Sequence, residues 1–150
     1  MRKALVVVSI LLLVAFALQF VFAAVGAFTK PAGDGAYALH SVTGMAVIPV
    51  LTLLTILFAV LAKAPGRLVG LAVLPLGLVV LQALLAMLAN AFTDAAGAST
   101  PFGLAIAGLH AVNGIVAVHV VVNVLRAARK LASPVPAPAA RLTVREGEPA

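Results

Sequence analysis

Between Lys3 and Lys30 the chain carries no charged side chain. A helix over such a run is about 38 Å long at 1.5 Å per residue, more than the ~30 Å of a bilayer's hydrocarbon core. Three more uncharged runs follow, closed by Lys63, by Asp94 and by Arg126. The spacing predicts four spans at about 4–28, 36–62, 68–92 and 101–125. Composition agrees: 64% of residues are hydrophobic, 9% are charged and mean hydropathy is +1.23. No soluble domain of this size covers that much apolar surface, and four spans leave no room for a separate catalytic domain.

The connections read as turns. Lys30-Pro31-Ala32-Gly33-Asp34-Gly35 is loop-forming, with Asp34 placed to cap the second span. Lys63-Ala64-Pro65-Gly66-Arg67 is short enough to make its flanking spans antiparallel neighbours. Thr100-Pro101 reads as an N-cap followed by proline at the first helical position. Pro49 and Pro75 fall inside spans, where neighbouring helices satisfy the freed carbonyls. The membrane domain is 1–131, and 132–150, rich in proline and polar residues, reads as a disordered tail. A cleaved signal peptide is the rival reading of the first run, disfavoured by its length and by Gln19, which has a later counterpart in Gln82.

The net charge of +6 does not indicate nucleic acid, because the basic residues cluster at the ends of apolar runs. Nine of the ten lie in the N-terminus, the Lys63/Arg67 turn and the C-terminal segment, so both termini are expected in the cytoplasm. Cysteine is absent, which removes disulfides and thiolate metal sites. No nucleophile elbow, phosphate-binding glycine loop or paired carboxylates occur.

One phrase is said twice. Leu39-His40-Ser41-Val42-Thr43-Gly44 returns as Leu109-His110-Ala111-Val112-Asn113-Gly114, Leu18-Gln19 as Leu81-Gln82, and Phe28-Thr29 as Phe92-Thr93. The expected fold is therefore all-α, a four-span transmembrane bundle of two parallel helical-hairpin repeats, each with Gln on its first helix and His on its second. Ionisable residues inside spans mark function by default, and His40 and His110 would face each other near the external side. Opposed imidazoles suit a haem b iron held axially, with Gly44 and Gly114 leaving flat walls, Thr43 and Asn113 as polar contacts, and Gln19 and Gln82 as supporting groups. The competing reading is helix packing on small residues, with the histidines bonded to carbonyls. His119 lacks a twin, Pro49 standing at the equivalent position, and it points away from His110, suiting packing or a subunit contact. A Zn or Cu site adding Asp34 and Asp94 is a weaker option, since both lie in loops.

These residues resemble a family of small bacterial four-helix membrane proteins with His on spans two and four and Gln on spans one and three. More distantly the chain is similar to one half of haem A synthase, from which only His40 and His110 carry over. No glutamate precedes Glu146, so the synthase activity is not implied. The resemblance implies a bacterial inner-membrane protein. The leading expectation is a haem b protein for electron transfer or haem handling, with a redox or membrane-complex partner and a possible homodimer. The alternatives are a cofactor-free accessory or assembly subunit, and a small transporter using Gln19 and Gln82.

Overall fold

A computed structural model describes residues 1–31, 33 and 35–133. They form four long helices: α1 (Arg2–Phe28), α2 (Ala38–Leu61), α3 (Gly66–Ala91) and α4 (Pro101–Ala132). Each is long and apolar enough to cross a membrane, which makes this a multi-pass membrane protein by length and composition. Among the described residues the only β pairing is a single bridge between Thr93 and Ser99.

Neighbours pack in the cyclic order α1, α2, α3, α4, with α4 returning to α1, so α2 and α4 lie diagonally across the bundle. One buried cluster, Leu5, Ala59, Leu68, Ala72, Val124 and Ala128, closes the end where α1 begins and α4 ends. A second, Leu12, Ala15, Phe16, Ile48, Ala117 and Val121, fills the middle. Lipid is as apolar as these side chains, so the association rests on close packing, which alanines at the crossings permit.

The helix ends follow local chemistry. Thr100 caps α4, its hydroxyl accepting from the Gly103 N–H at 3.1 Å and donating to the Phe92 carbonyl at 2.8 Å. After α2, Lys63 takes φ 52°, and the Ala64 N–H reaches back to the Ala59 carbonyl at 3.0 Å, a left-handed stop usually given to glycine. α4 runs seven residues past the expected end of the fourth span, through Arg126, Arg129 and Lys130. Charge ends a membrane run but not a helix, and cations in the last turn oppose the helix dipole favourably. Asp34, expected to cap α2, and residues 134–150 lie outside the described residues; Tyr37 occupies the N-cap position.

Pro49 acts in an unexpected way. α2 is not α-helical throughout: Thr43–Val47 forms a π-turn, with the Ile48 N–H bonding the Thr43 carbonyl five residues back. Pro49 has no N–H for the Met45 carbonyl and crowds it, so the wider turn just before it is accommodating. This turn absorbs one residue, and the burial pattern shows it. Counting from His110, the buried positions Ala117, Val121, Val124 and Ala128 stand seven, eleven, fourteen and eighteen residues on. From His40 the buried positions Ile48, Thr52, Thr55 and Ala59 stand eight, twelve, fifteen and nineteen on. One residue is about 100° of rotation, so without the π-turn His40 would be turned off the buried stripe. The residue matching His119 in this register is Val50, not Pro49.

Candidate functional site

Beyond Phe16, Ile48 and Ala117 the bundle interior changes from apolar to polar. Gln19 on α1, His40 on α2, Gln82 on α3 and Asn113 and His110 on α4 converge there. Gln19 and Gln82 each stand nine residues before the last residue of their helix, about 14 Å in from its end.

Each histidine makes the same bond. His40 Nδ1 lies 3.1 Å from the Gln19 backbone oxygen, and His110 Nδ1 lies 3.0 Å from that of Gln82. A carbonyl oxygen only accepts, so Nδ1 carries a proton in both, which in the neutral imidazole leaves the lone pair on Nε2. The rings face each other across the diagonal with centroids 6.2 Å apart and planes inclined by 51°. Both are half-buried.

The glycines are filled rather than open. A Cβ at Gly44 would collide with the Gln19 amide, and one at Gly114 would meet the Gln82 amide at 3.3 Å and the Phe20 ring at 3.6 Å. The flat walls expected beside the imidazoles are thus covered by glutamine side chains, because the glycine four residues after each histidine has no Cβ to keep out an amide from the neighbouring helix.

Asn113 and Thr43 distinguish the two halves. Around His110 the hydrogen bonding is closed: Gln82 Nε2 donates to the His110 carbonyl at 2.8 Å, Asn113 Nδ2 donates to the Leu78 carbonyl at 2.9 Å, and the same amide donates to Gln82 Oε1. Around His40, threonine replaces the asparagine and gives no such donor. Gln19 Oε1 is buried without a partner.

Two contributors carry little sequence signal. Tyr37 packs edge-on to His40, centroids 6.4 Å apart at 79°, and its ring lies where a Cβ on Gly26 would be. It is the chain's single tyrosine, three residues before His40, and that spacing is the sole hint. Phe20 covers Gly114 from α1, a contact between separate helices.

Other candidates fall away from the cluster. His119 is exposed, its Nδ1 bonded to the Ile115 carbonyl of its own helix at 2.9 Å. Asp94 folds its loop instead of meeting the histidines, accepting from Ala96 N at 2.9 Å and Ala98 N at 2.8 Å. Among the described residues no three His, Asp or Glu side chains gather as a metal site, and Asp34 lies outside them.

Residues 19–90 resemble DUF6220, a family of unknown function. The matched stretch is just under half of the chain and holds Gln19, His40, Thr43, Gly44 and Gln82, stopping before His110. No curated protein and no solved structure matches the chain. None of these matches is to haem A synthase.

Proposed function

We propose that His40 and His110 are the axial ligands of one haem b, held between α2 and α4 in a small membrane protein for electron transfer or haem handling. The observation that carries this reading is the paired anchoring of two imidazoles 6.2 Å apart. Two imidazoles ligating one metal from opposite sides keep their centroids about 6 Å apart, with about 2 Å of metal–nitrogen bond and about 1 Å of ring on each side. A backbone carbonyl on Nδ1 is the usual support of a histidine ligand, fixing the tautomer that leaves Nε2 free. Gly44 would offer backbone surface for the ring once the Gln19 side chain turns aside, and Gly114 would do so once Gln82 gives up its bonds to the His110 carbonyl and to Asn113. The bound group would supply one-electron chemistry. The chain's residues would supply ligation and orientation.

The same reading treats the molecule as two parallel hairpin repeats, supported by the repeated Gln–His bond and the matching buried stripes. The distribution of basic residues supports cytoplasmic termini in a bacterial inner membrane, with the histidines nearer the external face. A redox or membrane-complex partner is part of the proposal.

One observation favours a second reading. The Gln82–His110–Asn113 network is complete within the protein, as in a polar clasp between helices of a cofactor-free accessory subunit. An optical spectrum of the detergent-purified protein, oxidised and dithionite-reduced, separates the two. Haem ligation gives a Soret band and sharp reduced α and β bands, lost in both His40→Ala and His110→Ala. A wild type that stays colourless after haem is offered establishes the clasp.

A further inference from the structure

At the opposite end, an open groove of about 870 Å³ lies along α3 and α4, within the size range of small-ligand sites. Its walls are apolar, from Leu68, Leu71, Leu74 and Ala127, and it is widened by Gly70, beside which a Cβ would meet nothing within 4 Å. Three polar side chains also line it: Arg67 and Lys130 at the helix ends, and Asn123.

We propose that this groove seats one anionic phospholipid, its phosphate between Arg67 and Lys130, its ester carbonyls at Asn123 and its acyl chains along α3 and α4. This inference is independent of the histidine site. Asn123 stands seven residues before Lys130, about 10 Å deeper along the helix. The headgroup region adds about 5–8 Å beyond the hydrocarbon core on each side, and lysine and arginine reach outward to it. The amide therefore sits near the ester level, below the two cations.

Asn123 is exposed on this face, its amide bonds no described residue, and an ester carbonyl accepts from it. The two cations of the rim complement an anionic headgroup, and the sole carboxylate side chain among the described residues, Asp94, is at the far end of α3. A second copy of this chain fits less well, since a two-fold contact would bring the same two cations together.

The experiment is native mass spectrometry of the full-length protein released from nanodiscs holding phosphatidylglycerol and phosphatidylcholine in equal amounts. The wild type is expected to retain one phosphatidylglycerol in at least tenfold preference. The Arg67→Gln/Lys130→Gln pair loses the preference, and the charge-conserving Arg67→Lys/Lys130→Arg pair regains it, which separates charge recognition from misfolding. Asn123→Leu retains severalfold less lipid with the preference unchanged. Equal retention of the two lipids by the wild type, or a preference that survives in the glutamine pair, overturns the proposal. So does a lipid-free dimer cross-linked through Asn123→Cys.

Discussion

Gln82 and His110 bind each other's backbone. The imidazole Nδ1 donates to the Gln82 carbonyl at 3.0 Å, and the Gln82 amide donates to the His110 carbonyl at 2.8 Å. This reciprocal pair ties α3 to α4, and Asn113 locks it by donating to Gln82 Oε1. Gln19 and His40 share only the first of these bonds, and Gln19 Oε1 has no partner.

That difference predicts opposite effects at equivalent positions. Asn113→Leu removes two donated bonds and is expected to destabilise the bundle by about 1–2 kcal/mol, the upper range for interhelical bonds in membranes. Thr43→Asn supplies the donor that Gln19 Oε1 lacks and is expected to stabilise by about 0.5–1 kcal/mol. Reversible unfolding in mixed micelles measures both, and a destabilising Thr43→Asn would refute the pairing of these positions.

The π-turn predicts an asymmetry in deletions. Met45 is an exposed residue inside the turn, and its removal lets α2 close as an ordinary α-helix with His40 still over the buried stripe. The melting temperature should stay within about 5 °C of the wild type. Val116, an exposed residue of α4, has no surplus to absorb its loss. Deleting it rotates His110 by about 100° against Ala117 and Val121, and the folded protein should be lost from size-exclusion profiles.

Glycine substitutions should rank by what the new Cβ meets. At Gly103 it would lie 2.6 Å from the Phe92 backbone oxygen and 3.1 Å from that of Ala89, neither of which yields cheaply. Gly103→Ala is expected to cost about 1–3 kcal/mol by forcing α4 away from the end of α3. At Gly44 the obstacle is the end of the Gln19 side chain, which can swing aside, so Gly44→Ala should cost less in thermal unfolding.

The absence of cysteine makes topology directly measurable. Single replacements Ser99→Cys, between α3 and α4, and Ala64→Cys, in the basic turn, should label differently with an impermeant maleimide on intact cells. Labelling of the Ser99 position alone supports cytoplasmic termini. Labelling of the Ala64 position alone inverts the orientation and places the histidines toward the cytoplasm.

The sequence by itself determined the four helices, because charge-free runs of that length have one stable form in lipid, and it determined their boundaries to within a few residues except at the end of α4. There, Arg126, Arg129 and Lys130 mark where the membrane stops, yet no helix breaker stands among them. The doubled phrase pointed to His40, His110, Gln19 and Gln82, since a polar side chain is conspicuous against an apolar background. Only the tertiary structure decided how they meet. That the glutamine amides cover Gly44 and Gly114, that Asn113 closes one network while Thr43 leaves the other open, and that Tyr37 and Phe20 join the cluster all depend on contacts between separate helices. The π-turn belongs to both levels: Pro49 announces a disturbance, but the one-residue correction that aims His40 inward becomes visible only when the buried faces of α2 and α4 are laid against each other.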